Sequence, residues 1–196
     1  MRKAKMERET KETTIHADII LDGNGDNDIK CSIGFFTHML ESLSKHSLID
    51  IKLEAIGDVH VDYHHLVEDT AITLGKTIIE ALGDKKGINR FGSSILPLDD
   101  ALVESVLDIS GRPYFESNLK NFKGSIGDFD FELVEVFFSG FASMGYNLHI
   151  EVKKGNNLHH IAESAFKSFA RALMQAISVN NRIKDKIPST KEYIQK

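Results

Sequence analysis

Two short stretches of the chain carry the same arrangement of two adjacent histidines followed by a glutamate. They are residues 64–68, HHLVE, and residues 159–163, HHIAE, called here the first and second HHxxE motifs. The residues with ligand atoms are His64, His65, Glu68, His159, His160 and Glu163. If each motif begins a helix, its first histidine and its glutamate lie one turn apart on one face. Neutral imidazole with carboxylate suits manganese, iron or zinc, so the repetition predicts two related metal sites.

A further histidine precedes the first motif. His38 lies in the segment FFTHML, in the first turn of a predicted helix over residues 35–45, and we include it among the ligands. A single histidine is more often a surface or hydrogen-bonded residue than a ligand. One HHxxE motif alone is equally compatible with a polar helix start and with a metal site. The two copies lie about half the chain length apart, and this recurrence favours metal binding.

Cationic and hydroxyl side chains that suit a phosphate or carboxylate lie at predicted turns, on the second predicted motif helix and in the tail. They are Arg90, Arg112, Lys167 and the tail residues Ser189 and Lys191. Guanidinium, ammonium and hydroxyl groups donate hydrogen bonds to phosphate oxygens, although each of these residues alone is as compatible with a solvated charge. The carboxylates of interest are Glu12, Asp22, Asp99, Asp100 and Asp108. Asp99 and Asp100 also fit a simple turn and helix cap.

Composition excludes several classes of protein. The 196 residues carry a formal net charge of -5 with a pI near 6.0, which argues against nucleic-acid binding. The single cysteine, Cys31, excludes an internal disulfide framework and fits a reducing compartment. The sequence contains no P-loop, GxGxxG or GxSxG motif, which disfavours nucleotide-dependent and acyl-enzyme chemistry.

The basic N-terminal stretch, residues 1–11, reads as a charged tail. It has no apolar segment, so we predict no signal peptide, and no apolar run approaches the roughly 20 residues that span a bilayer. We therefore expect a cytoplasmic protein that does not bind membranes.

The two motifs sit in similar surroundings, which indicates an internal duplication. Before the first motif, residues 35–45 predict a helix and 48–55 a strand; before the second, 131–143 predict a helix and 145–152 a strand. A long helix follows each motif, at 66–82 and 161–179. The prediction is an α+β fold of two similar halves, each a mixed four-stranded sheet with two helices on one face.

No linker rich in proline or serine separates the halves, so we expect one catalytic domain. Its first half is predicted to span residues 8–90 and its second half residues 91–182. Residues 183–196 then form a C-terminal tail.

Several segments together resemble the imidazoleglycerol-phosphate dehydratase family. They are FTHML at 36–40, GDVHVDYHHLVED at 57–69, DISGRPY at 108–114 and HHIAESAFKSFARAL at 159–173. The resemblance runs from about residue 8 to residue 191 and is highly specific. It implies a manganese-dependent lyase of histidine biosynthesis that converts imidazole glycerol phosphate to imidazole acetol phosphate and water.

The resemblance also implies roles for individual residues. The manganese ligands would be His38, His64, His65, Glu68, His159, His160 and Glu163, with two Mn2+ ions in each active site. Arg90, Arg112, Lys167, Ser189 and Lys191 would surround the substrate phosphate, and Glu12 would be an acid/base close to the reacting carbons. The family implies trimers assembled into a 24-subunit shell, with active sites where subunits meet.

Three positions depart from the family pattern. Val136 stands where a histidine or glutamate ligand is usual before the Phe137-Phe138 pair, which would leave one metal site a ligand short or completed by water. Tyr63 replaces an aspartate before the first motif, and Glu192 replaces a glycine after the tail lysine.

Two other classes of function fit some of the residues. A metal-storage protein would use the histidines but needs no phosphate pocket, so the cations speak against it. A binuclear metallohydrolase usually has bridging carboxylates, whereas this ligand set is rich in imidazole. Dehydration is favoured because two Lewis-acidic metals on one imidazole ring would assist loss of the neighbouring hydroxyl.

Overall fold

The computed structural model describes residues 1–194, in which the strands form two four-stranded sheets and a two-stranded hairpin. In chain order the strands are β1 (Lys3–Glu9), β2 (Thr13–Ile20), β3 (Asn27–Cys31), β4 (Asp50–Gly57), β5 (Phe91–Leu98), β6 (Ala101–Asp108), β7 (Tyr114–Ser117), β8 (Ser125–Ile126), β9 (Phe129–Asp130) and β10 (Asn147–Lys154). The α-helices are α1 (Gly34–Ser47), α2 (His64–Leu82), α3 (Glu132–Ala142) and α4 (Leu158–Ile177).

The two large sheets have the same topology. Their strand orders are β1-β2-β4-β3 and β5-β6-β10-β7. In each sheet the first three strands are antiparallel and the last is parallel to its neighbour, as β3 is to β4 and β7 is to β10. The prediction of an α+β fold with two mixed four-stranded sheets and duplicated halves is confirmed. The boundaries at residues 8, 90 and 182 stay predictions, and residues 195 and 196 of the predicted tail lie outside the described residues.

Alternating side chains explain why each sheet has one covered face. In β2, Ile15, Ala17 and Ile19 are buried, whereas His16 between them is exposed. Strand β4 repeats the pattern, and an alternation of two residues puts all the apolar side chains on one side of a sheet. The helices bury that side.

The helices pair across the two halves. Helix α1 packs against α4 and α2 packs against α3, while α2 also contacts β1 and β2 and α4 contacts β5 and β6. The four helices therefore lie between the two sheets. Phenylalanine rings of α3 and α4 meet there, with Phe137 and Phe166 centroids 4.8 Å apart and Phe138 and Phe169 centroids 5.3 Å apart. One apolar core joins both halves.

Some element bounds differ from the predictions. Residues 1–11 were predicted as a charged tail, but Lys3–Glu9 form strand β1 because they pair antiparallel with β2 along its whole length. Helices α2 and α4 begin earlier than predicted and include the HHxxE motifs in their first turns. Among residues 1–194 no helix is long and apolar enough to cross a membrane.

Candidate active site

The second HHxxE motif occupies the first turn of α4, which is capped by Asn157. The Asn157 side chain accepts hydrogen bonds from the backbone N–H groups of His159, at 2.9 Å, and His160, at 3.4 Å. Such a cap satisfies N–H groups that a helix start leaves without partners. With the first turn fixed, His159 Nε2 lies 3.2 Å from Glu163 Oε2 on one helix face.

His38 joins this pair from α1. Its Nε2 lies 3.8 Å from Glu163 Oε1, and its ring centroid is 6.4 Å from that of His159. One ligand atom from each of the three residues lies within 4.8 Å of the others. In the part of the chain that the structure describes, no second group of three such residues is this compact. We call His38, His159 and Glu163 the donor cluster.

The donor cluster has the composition of a divalent metal site. Two imidazole nitrogens and one carboxylate oxygen suit a borderline metal such as manganese, iron or zinc, and three protein donors leave coordination positions open. Lys167 Nζ lies 2.7 Å from Glu163 Oε1. Burial alone raises the pKa of Glu163, but the hydrogen bond and charge of Lys167 outweigh it and lower that pKa, so the carboxylate is ionised and able to bind a cation.

The order of residues along the chain associates His38 with the first HHxxE motif, whereas the fold brings it to the second. The reason is the helix pairing, because α1 of the first half packs on α4 of the second. The members of the donor cluster therefore come from both halves.

The second histidine of this motif faces a different carboxylate. His160 Nδ1 lies 2.7 Å from Asp100 Oδ1, in the turn between β5 and β6. Asp100 Oδ2 accepts hydrogen bonds from the backbone N–H groups of Asn156, at 2.8 Å, and Asn157, at 3.1 Å. These hydrogen bonds, with that of Asn156 the strongest influence, lower the pKa of Asp100 to about 2. On the other side of the ring, His160 Nε2 lies 3.5 Å from an Asp99 carboxylate oxygen.

The first HHxxE motif begins α2 and is held by another set of acidic residues. His65 Nδ1 lies 3.0 Å from Asp58 Oδ2 and 3.8 Å from Glu12 Oε2. The hydrogen bond with Asp58 raises the pKa of His65. The side chains of His64 and Glu68 are exposed on the same helix. The predicted acid/base Glu12 therefore lies beside the first motif.

Val136 occupies the position on α3 that matches His38 on α1. Gly140, one turn further along α3, packs so tightly on α2 that an added Cβ would lie 3.2 Å from the Glu68 carbonyl oxygen. This contact puts the preceding turn of α3 beside the start of α2. The Val136 side chain is partly buried against the apolar core and offers no ligand atom. The first motif thus lacks the third donor that His38 gives to the second.

Tyr63, a departure from the family pattern, precedes the first motif and ties it to the β8–β9 hairpin. Its hydroxyl donates a 2.9 Å hydrogen bond to Asp128 Oδ2. Phe129, the next residue of the hairpin, packs against Phe35 of α1 with ring centroids 5.3 Å apart. The hairpin therefore links the N-terminal ends of α1 and α2.

Arg90 is the best-anchored of the predicted phosphate-binding residues. Its Nε and Nη2 donate to Asp108 at 2.7 and 3.0 Å, and its Nη1 donates to the Pro188 carbonyl oxygen at 3.0 Å. The guanidinium also lies 4.7 Å from the Phe91 ring centroid. The contact with Pro188 brings the tail, with Ser189 and Lys191, next to Arg90.

The predicted phosphate-binding residues separate into two groups. Lys167 contacts the donor cluster through Glu163, but the Arg90 backbone N–H bonds the Ala176 carbonyl oxygen near the far end of α4. At about 1.5 Å of rise per residue, Glu163 and Ala176 lie roughly 20 Å apart along the helix. Arg112, exposed just beyond β6, lies on the Arg90 side because the Ile109 N–H bonds the Arg90 carbonyl oxygen.

Two acidic contacts of the histidines were not predicted. The sequence placed Asp58 only within the family-like segment at residues 57–69, and it suggested a turn or cap for Asp100 without the contact to His160. A local signal existed for both. Asp58 follows β4 shortly before the first motif, and Asp100 forms part of the tight turn between β5 and β6. The identity of the histidine that each aspartate contacts depends on tertiary packing.

The fold and the site define a class of α+β enzymes. These enzymes consist of two similar halves, and a cluster of histidines and a carboxylate lies where two helices begin. The sequence profile of the imidazoleglycerol-phosphate dehydratase family matches residues 31–173. The chain belongs to this family. It is accordingly an enzyme of histidine biosynthesis, a hydro-lyase.

Similar proteins support the same family along almost the whole chain. The imidazoleglycerol-phosphate dehydratase of Ruegeria sp. (strain TM1040) is 52% identical over 192 residues, covering 97% of this chain and 98% of the relative. The Staphylococcus aureus enzyme structure aligns with a TM-score of 0.82 at 35% identity, covering 91% of this chain and 99% of that one. The Pyrococcus furiosus enzyme, solved in complex with (S)-C348, gives a TM-score of 0.83 at 36% identity, covering 96% and 100%.

Proposed function

We propose that this enzyme dehydrates D-erythro-imidazole glycerol phosphate to imidazole acetol phosphate and water with two Mn2+ ions in each active site. The observation that carries the proposal is the donor cluster of His38, His159 and Glu163, whose ligand atoms lie within 4.8 Å of one another. Family membership supplies the substrate, and the ligand types suit manganese.

The metal-binding residues divide between the two motifs. The donor cluster would hold one ion, and His64 with Glu68 would hold the other. His65 and His160, whose Nε2 atoms face away from their Nδ1 partners, would add the remaining nitrogens. Bound manganese would act as a Lewis acid toward the nitrogens of the substrate imidazole.

The side chains around the motifs account for the proton transfers. Glu12 is exposed and lies 3.8 Å from His65, so its carboxylate can take a proton from a carbon of the substrate held at this motif. The same group can return a proton to the departing hydroxyl or to the product. Lys167 keeps Glu163 ionised through their 2.7 Å contact and supplies positive charge at the donor cluster.

The phosphate would be bound by residues from another copy of the chain. The Arg90 backbone bonds Ala176, which lies roughly 20 Å from Glu163 along α4, so we place Arg90 out of reach of the phosphate of a substrate at the donor cluster of the same copy. We therefore assign Arg90, Arg112, Ser189 and Lys191 to a neighbouring subunit's substrate and Lys167 to its own. This supports a homo-oligomer, in which we propose trimers assembled into a 24-mer.

The outer face of the second sheet is available for such assembly. Phe91, Ile95, Val106 and Tyr114 are 57%, 53%, 41% and 50% exposed on its strands. Large exposed apolar side chains on one face are typical of protein interfaces. We further propose a cytoplasmic location, and we retain halves at residues 8–90 and 91–182 followed by the tail.

The test is an assay for loss of water from imidazole glycerol phosphate, with manganese and after chelation. We expect turnover only with manganese, and a His38→Ala variant that binds Mn2+ at least tenfold more weakly. His16→Ala, in an exposed position on β2, is the matched control and should behave as the wild type. Manganese-loaded protein that releases no water would favour metal storage, and release of phosphate would favour a hydrolase.

A further inference from the structure

Both carboxylate oxygens of Asp100 take part in hydrogen bonds with residues at the start of α4. Oδ1 faces His160 Nδ1 at 2.7 Å, and Oδ2 accepts from the backbone N–H groups of Asn156 and Asn157. Asn157 is itself the cap of α4. The carboxylate is thus fixed relative to the helix backbone, and its remaining contact is with the imidazole.

A fixed carboxylate at Nδ1 decides which form of the imidazole is present. Because the carboxylate is an acceptor only, His160 must carry a proton on Nδ1 to make this hydrogen bond. The neutral ring then has its lone pair on Nε2, which is the form that binds a metal through that atom. The contact also fixes the direction in which Nε2 points.

His65 in the other half has the same contact from a different part of the fold. Its Nδ1 lies 3.0 Å from Asp58 Oδ2. Asp58 lies just after β4, whereas Asp100 lies between β5 and β6, so the two aspartates do not occupy matching positions in the duplicated halves. The side chain of Asp58 is only 18% exposed, and its backbone N–H bonds the Glu12 carbonyl oxygen.

We infer that Asp100 and Asp58 are positioning residues, which hold His160 and His65 with the Nε2 lone pair free for a metal ion. The inference rests on the proposed function, since it assumes that these histidines bind metal. The same contact is made from two unrelated elements of the fold, which argues for a requirement of the histidines rather than for a by-product of the duplication.

An Asp100→Asn variant tests the inference because it keeps the shape of the side chain. If the amide oxygen still accepts the two backbone N–H groups, the amide nitrogen faces His160 and donates to Nδ1. The imidazole proton then moves to Nε2, where it blocks metal binding. We expect the affinity of the oligomer for Mn2+, measured by electron paramagnetic resonance, to fall by about 10- to 100-fold.

Asp28→Asn is the control, because it removes the same charge from an exposed aspartate of β3 that pairs with Lys52 rather than with a histidine. We expect its Mn2+ affinity to stay within about threefold of the wild type. In the metal-free protein, 15N chemical shifts should show His160 protonated at Nδ1 in the wild type and at Nε2 in Asp100→Asn. Asp58→Ala, which removes the acceptor from His65 Nδ1, should also weaken Mn2+ binding, so the test does not depend on one variant folding.

The outcomes separate the inference from the proposed function. Wild-type protein that binds no Mn2+ would overturn the proposed function. Wild-type protein that binds Mn2+, with Asp100→Asn and Asp58→Ala binding it equally well, would overturn the positioning role alone. Equal losses in Asp28→Asn and Asp100→Asn would also overturn it, since they would indicate a general effect of charge.

Discussion

His38 Nε2 of α1 lies 3.8 Å from Glu163 Oε1 of α4, although the two residues belong to opposite halves of the chain. The same exchange pairs α2 with α3, where Val136 stands in the place of His38. The fold therefore builds two comparable helix pairs, one with a histidine and one with a valine facing the motif. This difference makes the two candidate metal sites unequal.

A Val136→His substitution should make the first site more like the second. The new imidazole would lie beside the start of α2 and give His64 and Glu68 a third donor. We expect Mn2+ affinity at the weaker of the two sites to rise by about 10-fold or more, as measured by equilibrium dialysis of the assembled protein. Val136→Leu controls for the change in packing, and unchanged binding in the histidine variant would contradict the proposed pairing.

Replacing Glu12 by glutamine should remove the proposed acid/base while keeping the side chain's size. General acid–base groups typically contribute 10²- to 10⁴-fold, so we expect kcat to fall by about that factor. Mn2+ content should not change, because Glu12 is not among the proposed ligands. Glu9→Gln is the control, because Glu9 is an exposed residue at the end of β1, three positions before Glu12. Full activity in Glu12→Gln would exclude the role.

Acid should weaken the attachment of the β5–β6 turn to α4. The pKa of Asp100 is lowered to about 2, whereas an aspartate in an unfolded chain titrates near 3.9. Since the folded pKa is the lower one, its contribution to stability is fully present above about pH 4 and is lost as the pH falls toward 2. The difference in thermal midpoint between wild type and Asp100→Asn should therefore shrink from pH 5 to pH 2. A constant difference would contradict this linkage.

Gly92 allows β5 to lie directly against α4. A Cβ at this position would overlap the Ala172 carbonyl oxygen and lie 3.0 Å from the Ala176 backbone nitrogen. Gly92→Ala should thus push β5 away from the helix and cost about 1–3 kcal/mol of stability, the usual range for overpacking. The free energy of unfolding of Gly92→Ala should be measured with denaturant and compared with that of Gly34→Ala, where an added Cβ would meet nothing within 4 Å. Equal stability of the two variants would refute the tight contact.

Local sequence patterns predicted the duplicated halves, the mixed sheets and the family. Alternation along β2 and β4 and the repeated HHxxE motif depend only on neighbouring residues, so they can be recognised without tertiary structure. Strand β1 was missed because its charged residues read as a tail, and its pairing with β2 is what makes it a strand.

Which candidate residues lie close together was harder to predict than the candidates themselves. Periodicity shows that α1 has an apolar face but carries no information on which helix covers it, and that choice brings His38 to Glu163 rather than to Glu68. The separation of Lys167 from Arg90 has the same origin. Both residues fit a phosphate, but Lys167 lies in the middle of α4, whereas the Arg90 backbone N–H bonds Ala176 near the C-terminal end of that helix.

The exchange of helices between halves has an evolutionary consequence. A half-length ancestor with one motif and one preceding helix would have formed the α1–α4 type of contact only by pairing with a second copy of itself. Gene fusion would then have turned a symmetric homodimer into one chain and freed each former copy to diverge, as His38 and Val136 have done. Co-expressed fragments of residues 1–90 and 91–196 should accordingly recover Mn2+ binding at the donor cluster together, whereas neither fragment alone should bind Mn2+ there.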